Sequence, residues 1–314
     1  MDITRLQPVY KDYIWGGNKL NEEYGKNSGL SITAESWELA CHKDGMCRII
    51  DGEYAGKTLL EVLQDHPDAL GEKAARYEFF PILIKLIDAC NDLSVQVHPS
   101  DDYALKNEGQ YGKTEMWYVV DAEENAKLVY GLNREVSKDE FAALANGPEL
   151  MSVLNFVPVK KGDVFFIRSG VIHAIGKGLL ICEIQQNSNL TYRVYDYDRV
   201  DANGNKRPLH VEKAVEVAKL SPEPLQVDIE VTYSDSEVTV ENLASCEYFV
   251  VDKITLNGKY SLCPNGSFIS LTVVDGEGSV GSLKAPKGTT VFIPADAGCV
   301  QIEGNMTALS SYVK

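Results

Sequence analysis

The chain has 314 residues, with 30 Lys+Arg against 46 Asp+Glu, a net charge of −16 and a pI near 4.8. That balance excludes the broad basic face that nucleic acid or an anionic membrane requires, and no run approaching about 18 apolar residues is present to span a bilayer. At 44% hydrophobic and 24% charged, the composition is that of an ordinary globular protein of one large or about two domains. The start, MDITRLQPVYKDY, lacks the apolar stretch of a signal peptide, and seven Cys without a CxxC pair suggest reduced, mostly buried thiols, so a cytoplasmic location is expected.

In chain order, Thr58 with Glu61 opens TLLEVLQDH as a capping box. Residues 79–97 hold two β-rich runs separated by an Asn91-Asp92 turn, and 115–120 (EMWYVV) reads as a further strand. Ser137 with Glu140 opens a second capped helix. Strand signals resume at 163–168, 179–185 and 191–195, and a third helix is predicted over 210–219, with Val211, Ala214, Val215 and Ala218 on one face. The stretch SPEPLQ, 221–226, reads as a linker. Beyond it, 229–233, 248–256, 267–274 and 290–293 are short strands punctuated by Asn257-Gly258, Asn265-Gly266 and Asp275-Gly276 as turns.

A degenerate repeat runs through this pattern. VVDAE at 119 recurs as VVDGE at 273, displaced by 154 residues, and GDVFFI at 162 is echoed by GTTVFI at 288, displaced by 126. The difference matches a helical insertion around 131–158 in the first copy. The expected fold is therefore mainly β, two tandem jelly-roll barrels with helical decoration on the first, divided as 1–220 and 221–314.

The chemistry-bearing residues lie in the first copy. Gln96 and His98 in QVHPSDDYA are two apart and share a strand face; Glu115 begins the next strand, and His173 follows the Arg168-Ser169-Gly170 turn. A lone His is most often a core or surface residue. Gln, His, Glu and His together offer two nitrogen and two oxygen donors, a set suited to Zn²⁺ or another first-row divalent ion. Lys113 is placed on the Glu115 side of its strand, and Glu183 lies midway between His173 and Arg193. His42, His66 and His210 have no second ligand at useful spacing; His66 ends a helix, His210 starts one and His42 sits in a turn.

The pattern resembles the cupin superfamily, whose first motif ends in His-x-His followed by Glu and whose second runs from Gly through Pro-x-Gly to His. Gln96 replaces the first His and Arg168 the Pro. The Gln substitution is similar to one branch, the type I phosphomannose isomerases, in their short bacterial form. The resemblance covers most of the chain: Trp15-Gly16-Gly17, ESWELA at 35–40, QVHPSDDYA, GKTEMWYV at 112–119 and residues 173–199, HAIGKGLLICEIQQNSNLTYRVYDYDR. It implies one Zn²⁺ held by Gln96, His98, Glu115 and His173, Arg193 as a catalytic arginine, and Lys113 and Glu183 in the same cavity. It also implies a small sugar-phosphate partner, with interconversion of D-mannose 6-phosphate and D-fructose 6-phosphate. Lys113 and Arg193 would supply the cations that a phosphate needs, Lys113 helping to hold it; zinc-bound water, Glu183 or a carboxylate from 196–201 would be the base. The competing expectations are an Fe(II) cupin oxygenase on His98, Glu115 and His173, and a non-catalytic sugar-binding cupin. At the two displacements, Gln96, His98, Glu115 and His173 fall on Val250, Asp252, Ile269 and Cys299, so the second copy is expected to be metal-free.

Overall fold

The computed structural model describes the chain except residues 146, 201, 202 and 226. Among the described residues the fold is mainly β, with five short α-helices. A six-stranded sheet runs in the order Val164–Ile167, Glu115–Ala122, Leu179–Gln186, Ile82–Ala89, Glu35–Leu39, Val9–Lys11. Its two inner strands, Ile82–Ala89 and Leu179–Gln186, are buried at every position, which explains their near-continuous apolar runs. A five-stranded sheet lies against it, in the order Leu154–Pro158, Lys127–Leu132, His173–Ala174, Val95–Val97, Tyr192–Tyr195. Trp117, Val119, Tyr130, Ile175 and Ile181 pack between the two. The outer face of the five-stranded sheet carries Val95, Val97, Tyr192 and Val194, covered by Phe141 and Ala214 from the helices Lys138–Leu144 and Val211–Val217.

The C-terminal third builds a nine-stranded sheet in which Thr4–Gln7 and Arg48–Ile49 continue from Thr290–Ile293. Phe249, Phe268 and Phe292 join it to Leu39, Phe80 and Leu86 in one apolar cluster. Beneath this contact lies a buried ion pair, Lys26 Nζ to Glu38 Oε1 at 2.6 Å, with Thr290 Oγ1 donating to Glu38 Oε2 at 2.8 Å. No closed barrel is found among the described residues; each sheet is an open path.

The capping box at Thr58 forms in full, opening the helix Leu59–Asp65. Thr58→Ala should cost about 1 kcal/mol, measured as a shift in the denaturation midpoint at unchanged slope. At Ser137 only half of the box forms: Ser137 Oγ accepts from Glu140 N, while the Glu140 carboxylate pairs with Arg134 at 2.6 Å. Two helices without sequence signals appear, Lys19–Tyr24 and Asp101–Glu108, the latter beginning within the QVHPSDDYA motif.

The C-terminal strands are longer than expected. Val250–Leu262, Ile269–Val280 and Val300–Tyr312 run for 13, 12 and 13 residues, through two of the three predicted turns. Asn257-Gly258 is paired strand, with Gly258 opposite Gly304; a side chain at Gly258 would collide with Glu237 at 2.6 Å. Asp275-Gly276 follows a bulge that skips Val274, which the left-handed φ of 72° at Gly276 accommodates. Only Asn265-Gly266 turns the chain between strands. The expectation of all-reduced cysteines also fails. Cys263 and Cys299 form a disulfide, because they flank the paired residues Leu262 and Val300. Of the five free cysteines, Cys41, Cys47 and Cys182 are buried.

The repeat is visible in the strand ladders. Glu115 pairs with Ile167 and Trp117 with Phe165; at displacements of 154 and 126, Ile269 pairs with Ile293 and Leu271 with Val291. The third strand of each set, Leu179–Gln186 or Val300–Tyr312, skips one residue of its neighbour, Val120 in the first and Val274 in the second. One part of the sequence mapping is corrected. Through Gln185 and Tyr312, Val250 is the counterpart of Leu83 and Asp252 of Lys85, not of Gln96 and His98. A single displacement cannot follow loops of different length on the two sides.

Candidate active site

The inward face of the five-stranded sheet is set by apolar neighbours facing outward. Val95 and Val97 point to the helices, so Gln96 points inward; Tyr192 and Val194 do the same for Arg193. Gln96 pairs with His173 on one side and Arg193 on the other, which makes a lateral row His173–Gln96–Arg193. Gly170, at φ 86°, donates its N–H to His98 O at 2.8 Å; a side chain there would meet Val217 O at 2.9 Å. That turn holds the His98 and His173 segments together. On the facing sheet a second row crosses three strands, Lys85–Glu183–Trp117, with Glu115 two residues before Trp117 on the same face.

The two rows bring His98, Glu115 and His173 into one buried cluster, their ligand atoms all within 4.8 Å. His98 Nδ1 donates to Leu190 O and His173 Nδ1 to Val171 O, each at 2.8 Å. Neutral rings bonded this way leave both Nε2 lone pairs facing each other, 3.1 Å apart. Glu115 Oε1 lies 3.4 Å from His173 Nε2 and has no hydrogen-bond donor. The Gln96 amide nitrogen lies 3.4 Å from the same ring nitrogen; a flip of the amide would turn its oxygen there instead. Two opposed lone pairs, an orphan carboxylate oxygen and an amide fit a divalent cation of the zinc type. Burial lowers His173 to about 4 and His98 well below its ordinary value, so both imidazoles are neutral, the form a metal takes.

Charged groups of the adjoining cavity surround this cluster. Lys113 Nζ lies 2.7 Å from Glu115 Oε2 and 3.6 Å from Glu183 Oε1, and Lys85 Nζ lies 3.2 Å from the same Glu183 oxygen. Trp117 Nε1 donates to Glu183 Oε2 at 3.0 Å. Burial opposes ionisation of Glu183, yet Lys113 and Lys85 outweigh it and hold this carboxyl below the usual range. Burial and the Glu183 charge push Glu115 up. Arg193 completes the set; its Nε donates to Ser94 Oγ at 3.3 Å and an Nη to Pro208 O at 2.9 Å. These partners are neutral, so the Arg193 charge is not cancelled locally. Burial and the nearby Arg207 lower its pKa.

The cavity measures about 240 Å³, and Gln96, Lys113, Glu183 and Arg193 line it together. Sequence reasoning missed Lys85, Glu35 and Arg207 on the same wall. For Lys85 a signal was present, a lysine inside the apolar strand ILIKLIDA. Glu35 sits in ESWELA, where Trp37 Nε1 donates to its carboxylate at 2.7 Å; Arg207 reaches the cavity from a loop with no pattern of its own. The carboxylates of 196–198 do not line this cavity. Asp196 is clamped by Arg199 and Arg207, Asp198 pairs with Lys206 at 2.6 Å, and Asp201 lies outside the described residues. His210 Nδ1 accepts from Arg193 N at 3.2 Å, which ties the arginine strand to the helix start, and His66 Nε2 meets Tyr54 Oη at 2.7 Å rather than helix carbonyls. His42 Nδ1 accepts from Asp44 N inside its turn.

Residues 3–143 match the family model for phosphomannose isomerase type I, catalytic domain, and residues 239–313 match that for mannose-6-phosphate isomerase, cupin domain. Among curated relatives, the mannose-6-phosphate isomerase ManA of Bacillus subtilis is 38% identical over 313 residues, covering 98% of each chain. A mannose-6-phosphate isomerase of Streptococcus mutans is 36% identical, covering 98% of this chain and 97% of its own. The crystal structure of the mannose 6-phosphate isomerase from Bacillus subtilis superposes with a TM-score of 0.92 at 36% identity, over 100% of both chains. With likeness of this extent running from end to end, and with the buried nitrogen and oxygen cluster in place, the chain belongs to the type I phosphomannose isomerase family.

Proposed function

We propose that this chain interconverts D-mannose 6-phosphate and D-fructose 6-phosphate, using one Zn²⁺ held by Gln96, His98, Glu115 and His173. The observation that carries the reading is the cluster's position. Its neutral imidazoles and orphan carboxylate oxygen lie directly behind Gln96 and Lys113, which line a cavity together with Lys85, Arg193 and Arg207. The chain carries −16 overall, yet this cavity presents four cations against the two carboxylates of Glu35 and Glu183, a local excess that attracts an anion.

When bound, the ion supplies Lewis-acid polarisation of the oxygens on C1 and C2. The chain's own groups divide the remaining work. The sequence alone suggested that Lys113 helps to hold the phosphate; because Glu115 and Glu183 engage it, this reading places its ammonium at the reacting end of the sugar instead. Lys113 and Lys85 keep Glu183 ionised, so its carboxylate orients both ammonium groups and is the cavity carboxylate that takes the proton from C2 and returns it to C1. Arg193, beside Gln96, faces the charge that develops as the carbon-bound proton leaves C2. Arg207 lines the cavity with its Nε and one Nη taken by Asp196, and its other Nη serves the phosphate. An iron oxygenase needs only a facial triad of two His and a carboxylate, and would have no use for Gln96 at the cluster or for four cations around it. The same reading takes 1–220 as the catalytic unit and 221–314 as a metal-free second cupin-like unit, in a cytoplasmic enzyme without nucleic-acid or membrane partners.

The test is a coupled assay on metal-loaded protein with mannose 6-phosphate and with free mannose. Turnover of the phosphate with little turnover of the free sugar is expected, because remote binding energy positions the reacting carbons. Arg207→Ala should raise KM roughly tenfold or more with kcat little changed, the sign of lost uniform binding. Failure of the loaded protein to isomerise mannose 6-phosphate would end the proposal.

A further inference from the structure

The C-terminal sheet encloses a cavity of its own, about 280 Å³, comparable to the catalytic one. The ladder equivalence places it at the corresponding spot. Ser310 stands where Glu183 stands in the first copy, Asp252 where Lys85 stands, and Ile269 where Glu115 stands. The chemical groups have been exchanged, while the space has been kept.

We propose that this second cavity binds an uncharged polyhydroxyl molecule, a free sugar or polyol. Ser310 lines it, is 1% exposed, and its Oγ has no hydrogen-bond partner. A buried hydroxyl without a partner has forgone the hydrogen bonds it made to water, and a ligand hydroxyl would restore one. Across the strand pair, Asp252 accepts from Asn242 Nδ2 at 2.7 Å and from Tyr312 Oη at 2.9 Å. Both donors are neutral, so the carboxylate charge persists at the cavity wall and retains lone pairs for ligand hydroxyls. Among the described residues no Lys or Arg lines the cavity. Phosphate esters, including those of the catalytic reaction, are therefore repelled. Ile254 and Ile269 provide an apolar floor, and the tyrosines 260 and 312 add aromatic wall, a combination that suits the C–H face and hydroxyl rim of a sugar. The mouth is formed by the exposed Ser261, Cys263 and Asn265, and the Cys263–Cys299 disulfide ties its edge to the neighbouring strand.

Saturation-transfer NMR on the metal-loaded full chain, with D-mannitol and D-mannose as probes, tests this directly. Probe signals should persist when excess mannose 6-phosphate, with the fructose 6-phosphate it equilibrates to, fills the catalytic cavity. Ser310→Val, which removes the hydroxyl and fills space, should weaken binding roughly tenfold, about the worth of one good hydrogen bond. Ser261→Trp, at an exposed position on the mouth, should block entry without burdening the core. Isomerase kinetics and the melting temperature should be unchanged in Ser261→Trp, which decides the matter even if Ser310→Val folds poorly. Signals abolished by the sugar phosphates would mean binding in the catalytic cavity only. Equal signals in wild type and Ser261→Trp would mean weak surface association only. Either result, or no signal with both probes, overturns the proposal.

Discussion

Replacing His98 and His173 together by alanine is expected to take the purified chain from about one tightly held divalent ion to none, and isomerase activity with it. The two ring nitrogens lie 3.1 Å apart, each oriented by a carbonyl 2.8 Å from its other nitrogen. Removing them leaves one carboxylate and one amide, too few donors for tight binding of a zinc-type ion. The loss should exceed that from any cationic residue of the cavity, since it removes the Lewis acid itself. Metal analysis by mass spectrometry after exhaustive dialysis checks it, with a thermal melt to show that the variant remains folded. A second ion held as tightly in the wild-type chain would count against a metal-free C-terminal unit, where Ile269 occupies the Glu115 position. One ion retained by the double variant would refute the ligand assignment.

Arg193→Ala is expected to lower kcat by roughly 10²–10³-fold or more while leaving fold and metal content intact, because a fixed charge aimed at developing charge in a cavity partly closed to water is worth several kcal/mol. The arginine makes no ion pair among its hydrogen bonds, only those to Ser94 Oγ and Pro208 O, so its removal strands no buried carboxylate. kcat and kcat/KM should fall together, in contrast to Arg207→Ala, since the interaction strengthens only in the transition state. Arg193→Lys should restore little: an ammonium cannot bond Ser94 and Pro208 while also presenting a planar fork to the substrate. Steady-state kinetics on the three proteins distinguish these outcomes, and near-wild-type turnover in Arg193→Ala would remove the residue from the mechanism.

Period-two patterning made much of the site legible in advance. Gln96 between Val95 and Val97, and Arg193 between Tyr192 and Val194, could point only one way once their neighbours were buried. The capping pair Thr58 and Glu61 likewise formed from local chemistry alone. Properties that depend on which strand lies beside which were not local. Asn257-Gly258 has the composition of a turn, but cross-strand pairing with Asn305 and Gly304 keeps it extended. Cys263 and Cys299, 36 residues apart, meet because antiparallel register places them at the ends of neighbouring strands.

By itself, then, the order of residues determined the strand-rich character and the inward-facing positions of Gln96 and Arg193, since each rests on side-chain type and short-range periodicity; the set His98, Glu115 and His173 was implied by the family resemblance and is brought together by the facing sheets. Tertiary structure alone decided the charge arrangement around that set. Lys85 became a cavity residue because Glu183 sits opposite it across a strand pair, and Lys113 was drawn toward Glu115 and Glu183. The pairing of Asp252 with Ser310, where the first copy has Lys85 with Glu183, was likewise settled only by strand register. Electrostatic energy depends on distance through space and on burial, and neither is written in the spacing of residues along a chain.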